Sequence, residues 1–279
     1  MLGALNKPWE TPEFTAVNRL PMRATLTPYA DAKAAKIGED TRSPWHLSLN
    51  GPWRFQLYDS PAAVPESALA KTAADGRWDQ IAVPANWTLE GYDKPHYTNV
   101  KMPFKNDPPR VPADNPTGVY RRTFRLPAKW KKRRTVLHMA GAESVAYVFV
   151  NGAMVGMSKD SRLPAEFDLT PFLQGGQNQL AIVVIRYSDA SYVEDQDHWW
   201  MAGLYRDIFL YSTHAVSFIQ DVKTQAELVN DYKDGMLRVE TTLGFGRDPG
   251  ANFTVEAQLY SANGKAVGPA HQQEIRRFQ

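Results

Sequence analysis

The chain has 279 residues, with 32 Lys and Arg against 30 Asp and Glu, a formal net charge of +2. That balance leaves no electrostatic footprint for a polyanion, so dedicated nucleic-acid binding is set aside. A hydrophobic content of 43% provides a core, and the absence of cysteine removes disulfides, cysteine-ligated zinc, iron–sulfur clusters and thiol nucleophiles together.

The opening MLGALNKPWETPEF has no basic leader and loses its apolar character at Asn6, Lys7 and Pro8. It reads as neither signal peptide nor anchor, which leaves the cytoplasm as the default location. The longest apolar runs, Leu180–Ile185 and Val145–Val150, fall far short of the ~20 residues that span a bilayer, so no membrane role follows. Residues 1–45 show no sustained period, and Pro8, Pro12, Pro21 and Pro28 interrupt any helix; the segment reads as an extended arm.

The body opens with LSLNGPWRFQLYDS, where an Asn50-Gly51 turn precedes Trp53, Phe55 and Leu57 at period two. Strand-like segments recur at Gln80–Val83, Val119–Leu126, Thr135–Met139, Val145–Val150, Ala153–Met157 and Gln179–Tyr187. Between two of them, Asn151-Gly152 supplies the two positive-φ positions of a type I′ turn and predicts a hairpin. After Tyr211 the pattern restarts with Phe218–Leu228, then Leu237, Val239, Thr241 and Leu243, then Phe253, Val255, Ala257 and Leu259. This second sheet domain, 216–279, offers three or four strands where an immunoglobulin-type sandwich needs about seven and ~100 residues. Its end, HQQEIRRFQ, reads as having no closing strand, so the domain is expected to be incomplete and the chain part of something longer.

The densest acidic stretch is RYSDASYVEDQDHWW, with Asp189, Glu194, Asp195 and Asp197. On an extended backbone Asp195 and Asp197 face one way, roughly 6.6 Å apart. Such carboxylates suit sugar hydroxyls or a hard cation, and Trp199 and Trp200 offer flat apolar faces for a pyranose ring. A solvated acidic loop is the competing reading. Two neighbours on one strand lie on the same side of any ligand, whereas glycoside hydrolysis needs carboxyl groups on both sides of the scissile bond, so this cluster is not self-sufficient catalytically. The run Lys131, Lys132, Arg133 and Arg134 falls in a turn between strands and reads as solvated. The six histidines, His198 beside the acidic stretch among them, show no zinc spacing, and no phosphate-loop or nucleophile-elbow motif occurs. Asn115-Pro116-Thr117-Gly118 reads as a turn, and Arg162 as an ion-pair partner of Glu166 or Asp168.

Several longer strings stand in the order found in bacterial β-galactosidases of glycoside hydrolase family 2, which the chain resembles over residues 15–215. They are NR at Asn18-Arg19, SLNGPWRF at Ser48–Phe55, VPANW at Val83–Trp87, GYDKPHYTNV at Gly91–Val100, NPTGVYRRTF at Asn115–Phe124, VFVNG at Val148–Gly152, DSRLPAEFDLT at Asp160–Thr170 and EDQDHWWMAGLYRDI at Glu194–Ile208. The resemblance implies an all-β chain: an arm at 1–45 that contributes to subunit contacts, a jelly-roll (galactose-binding-like) β-sandwich at 46–215, and a partial immunoglobulin-like β-sandwich at 216–279. A TIM barrel of ~250 residues cannot fit in what remains. The implied role is therefore the N-terminal sugar-binding portion of an enzyme that hydrolyses terminal β-D-galactosides such as lactose with retention, inactive alone, with no catalytic residue in this chain.

The resemblance also implies two site residues: Asn99 as a hydrogen-bonding partner of substrate, and Asp197 as a contact to galactosyl hydroxyls and ligand of a sodium ion completed by the barrel. It implies magnesium and sodium for the whole enzyme, none held by this chain alone, and a homo-oligomer with the remaining domains as partners. An outlying magnesium of the family uses N-terminal residues plus two side chains; Asp189 matches one, but Lys159 stands where a neutral glutamine is usual, and an ammonium cannot ligate a cation. A stand-alone lectin-like carbohydrate-binding module is the alternative reading, and a purely structural role in restoring assembly of a truncated partner is a third.

Overall fold

Val150 and Ala153 pair across Asn151-Gly152, whose φ values of 52° and 87° make the type I′ turn its two residues require. Asn151 stays in place because its side chain donates to Phe172 O at 2.9 Å and to Asn178 Oδ1 at 2.8 Å and accepts from Gln179 N at 3.1 Å. The computed structural model describes residues 7–276 apart from Val100 and Asp195.

Seventeen strands occur among the described residues: β1 (Ala16–Val17), β2 (His46–Ser48), β3 (Gly51–Tyr58), β4 (Asp79–Val83), β5 (His96–Tyr97), β6 (Thr117–Arg125), β7 (Arg134–Met139), β8 (Val145–Val150), β9 (Ala153–Lys159), β10 (Ala165–Asp168), β11 (Gln177–Ile185), β12 (Trp199–Trp200), β13 (Ile208–Thr213), β14 (Ser217–Val229), β15 (Asp234–Phe245), β16 (Phe253–Ala257) and β17 (His271–Ile275). An antiparallel sheet of order β1-β9-β8-β11-β6-β3-β4 and a second sheet of order β10-β7-β13-β2 form a sandwich. The chain is thus all-β, as its punctuation and alternation imply.

The central strands β8 and β11 are buried along nearly their whole length, so they read as continuous apolar runs rather than alternating ones. Gly118, the second residue of β6, lies against two aromatic rings: a Cβ there would stand 2.7 Å from Phe55 and 2.8 Å from Trp87. The stretch expected as a turn at 115–118 is therefore split. Asn115 turns the chain and pairs its side-chain amide with the Tyr187 main chain, at 2.9 Å in both directions, while Thr117 and Gly118 already belong to β6.

The chain divides into two compact units, residues 1–22 with 46–211, and residues 23–45 with 212–279. Segment 23–45 is not wholly extended. A helix, α1 (Ala32–Ile37), fits between Pro28 and Pro44, with Asp31 accepting from Ala34 N at 2.8 Å and Gly38 closing it at φ 70°. Good caps around Ala and Lys suffice for this one short helix despite the prolines. The second unit holds two ribbons, β14 with β15 and β16 with β17. The expectation that HQQEIRRFQ offers no closing strand is corrected in one respect: His271–Ile275 is a strand, and it pairs with Phe253–Ala257 in a two-stranded ribbon of its own. Polar, exposed side chains hid it, because the ladder is held by main-chain bonds rather than by an alternating apolar face.

Candidate functional site

Two rungs of antiparallel ladder build the candidate site. Tyr97 pairs with Trp199 and His96 with Trp200. Alternation sends the two tryptophans opposite ways: Trp200 is buried against Phe104 and Tyr187, while Trp199 remains 55% exposed beside the Tyr97 ring, 5.6 Å away. The expected pair of sugar-facing tryptophans is thus corrected to one, with exposed Tyr97 as the second aromatic face. The Tyr97 hydroxyl donates to Asp197 Oδ1. This bond and the Asp197 charge push the Tyr97 phenol above the ordinary tyrosine range.

Asp197 stands exposed on a tight turn closed by a 2.7 Å bond from His198 N to Gln196 O. Carrying the register of 97 with 199 two pairs outward, through 98 with 198, sets positions 99 and 197 against each other beyond the two-rung ladder, and both Asn99 and Asp197 are exposed. Their side chains offer an amide, which donates and accepts, and a carboxylate, which accepts.

The remaining acidic residues do not join them. Asp189 is buried on the Lys159 ammonium, with both oxygens at 2.8 Å. Glu194 accepts from Ser161 N at 2.8 Å and from the Ser161 hydroxyl. Asp195 lies outside the described residues. The acidic stretch is therefore separate carboxylates with separate partners, because a short 3-10 turn at Asp189–Tyr192 points them in different directions. Among the described residues no group of three or more His, Cys, Asp or Glu is arranged to hold a metal ion.

Charged side chains, from buried to partly exposed, fix the two segments of the site. Arg186, just after β11, donates to Asp93 and, at 2.9 Å, to Lys94 O, anchoring the loop that runs into β5. Desolvation first and the Arg186 charge second hold His96 below the ordinary histidine range. Under Asp197, His198 Nδ1 lies 2.9 Å from Trp199 O and Nε2 lies 3.2 Å from Arg162 Nη2. A carbonyl only accepts and a guanidinium only donates, so the tautomer protonated at Nδ1 satisfies both. Arg162 also donates to Glu143 at 3.1 Å, and burial lifts the Glu143 carboxyl above its usual range in spite of that bond. The expected pairing of Arg162 with Glu166 or Asp168 is corrected. Glu166 meets His138 at 3.0 Å and Asp168 meets Arg134 at 2.7 Å across the sheet from β7, whereas Arg162 lies in the loop before β10.

Tyr97, Arg162 and Arg186 are the site residues that sequence reasoning did not single out for these roles. The one available signal was spacing: Tyr97 stands two residues before Asn99, on the same face of an extended segment.

The antiparallel β-sandwich thus presents a carboxylate, an amide and two exposed aromatic rings, groups whose chemistry suits hydroxyl-rich ligands. Residues 47–214 match the family model described as glycosyl hydrolases family 2, sugar binding domain. The chain belongs to glycoside hydrolase family 2. It is 44% identical over 254 residues to a β-galactosidase of Psychromonas ingrahamii, covering 91% of this chain and 24% of that protein. Against the β-galactosidase of Aeromonas hydrophila it is 43% identical over 261 residues, covering 90% and 25%. Among solved structures, a glycoside hydrolase family 2 β-glucuronidase aligns with TM-score 0.64 and 22% identity over 84% of this chain and 25% of that one. A β-glycosidase from Bacteroides vulgatus aligns with TM-score 0.62 and 21% identity, covering 83% and 29%. The structures share the fold. The chain spans about a quarter of the length of these β-galactosidases.

Proposed function

We propose that this chain is the sugar-binding portion of a β-galactosidase that hydrolyses terminal β-D-galactosides, lactose among them, with retention through a galactosyl-enzyme intermediate. The reading is carried by identity above 40% to β-galactosidases over nine-tenths of the chain. In it the catalytic carboxylates come from the rest of the protein, and residues 46–215 lend Asp197 and Asn99 to the galactosyl hydroxyls. Asp197 is one carboxylate ligand, so a sodium ion there draws its other ligands from other domains; magnesium is likewise a cofactor of the whole enzyme.

In the same reading the enzyme is a cytoplasmic homo-oligomer. No helix among the described residues is long and apolar enough to cross a membrane. Residues 216–279 contribute the first strands of an immunoglobulin-like sandwich. Leu228, Leu237, Val239 and Phe245 on the β14–β15 ribbon are exposed, a set of apolar side chains that further strands of the protein would cover.

The experiment is Asp197→Asn in the full-length protein, assayed on aryl β-D-galactosides and aryl β-D-glucuronides. A fall in kcat/KM on galactosides of about a hundredfold or more, as for a charged hydrogen bond made in the transition state, is the expected result. Unchanged galactoside kinetics, or a wild-type preference for glucuronides, would overturn the reading.

A further inference from the structure

Lys159 ends β9 with its side chain turned inward, and its relative exposure is 6%. Its ammonium meets Asp189 Oδ1 and Oδ2 at 2.8 Å each, Thr11 O at 2.9 Å and Pro8 O at 3.1 Å. All three donors of the ammonium are thereby used, and one positive charge is matched by one negative. Pro8 and Thr11 flank Trp9, which is buried in the core cluster with Val145, Tyr147 and Met157. Two residues of β1 then extend the same segment along β9, and Lys159 N itself takes Thr15 O at 2.9 Å.

A carboxylate and two main-chain carbonyls converging on one point are the donors a hard divalent cation takes. The magnesium that the family resemblance implies at Asp189 does not fit the residues present, because the Lys159 nitrogen already sits at hydrogen-bond distance from those oxygens. We propose that the Lys159 ammonium is a resident substitute for a cation, which locks residues 8–11 onto the sandwich and makes that attachment independent of divalent metal. A surface cavity of about 390 Å³ is bordered by Pro12, Pro108, Tyr192 and Glu194 together with Lys159 and Asp189.

Hydrogen exchange of the peptide containing Trp9, measured on the whole chain in EDTA and in millimolar magnesium chloride, tests the proposal. Wild type is expected to show equal protection in both. Lys159→Met should lose protection about tenfold or more in both, since the buried carboxylate loses its partner. Lys159→Gln puts a neutral amide oxygen among the same donors; its protection should fall in EDTA and return in magnesium, which also serves as the readout if the Met variant fails to fold. Wild-type protection that drops in EDTA would overturn the proposal. So would a Lys159→Met variant as protected as wild type, or a Lys159→Gln variant that magnesium does not restore.

Discussion

The Tyr97 hydroxyl bonds to Asp197 across a hundred residues of sequence, tying the segment that carries Asn99 to the segment that carries Asp197. The two side chains report on each other. Because the Asp197 bond and charge raise the phenol, Asp197→Asn should return Tyr97 toward the ordinary tyrosine range, so that it ionises at a lower pH. An ultraviolet difference titration of wild type, Asp197→Asn and Tyr97→Phe checks this. The transition absent from Tyr97→Phe must be the one that moves in Asp197→Asn.

His96 titrates in the opposite sense. Its folded pKa lies below the unfolded value, so between those two pH values the unfolded chain binds more protons and stability rises with pH. Acidification through the region below pH 6.5 should therefore weaken the β5–β12 ladder first. Nuclear magnetic resonance of the His96 ring, alongside exchange of the Trp199 and Trp200 amides, measures both. A His96 pKa at or above the free histidine value would refute it.

Arg186 and Asp93 form a buried pair, with side chains 1% and 20% exposed. Arg186→Met strips the loop 91–95 of its anchor and leaves Asp93 unpaired, a loss of about 3–5 kcal/mol on breaking one side of a buried pair. Denaturant midpoints give the total. A variant within about 0.5 kcal/mol of wild type, the range of neutral surface changes, would contradict the assignment.

Gly118→Ala tests packing apart from charge. The added methyl meets Phe55, which is fully buried, and Trp87, also fully buried, so neither ring has room to retreat. Overpacking of this kind costs about 1–3 kcal/mol. The reverse result, a gain in stability from reduced backbone freedom, is what an unconstrained glycine would give.

What the sequence disclosed follows the range of the interactions involved. The Asn151-Gly152 hairpin and the strands around it were legible because turn chemistry and alternation act between near neighbours. Trp199 and Trp200 were recognisable as aromatic, but which of them faces solvent depends on the β5 partner, a hundred residues earlier. The residue pattern alone leaves the pairing of Asp189 open for the same reason, since its partner Lys159 is 30 residues away at the end of β9, and only the family resemblance sets the two positions together. Arg162 was given the wrong partners because nearness in sequence stood in for nearness across a loop. β17 escaped notice because its ladder needs no apolar side chains.

The edge strand β1 is only two residues long, yet it occupies the side of β9 that would otherwise present open main-chain groups. Gly156 is what lets it lie there, since a side chain at that position would stand 2.4 Å from the Val17 carbonyl. The segment is thus a stopper as well as a strap. A chain shortened past Val17 would carry a hydrogen-bonding rim able to recruit strands from other molecules, and it would lose Trp9 from the core as well, so self-association and lower stability should appear together.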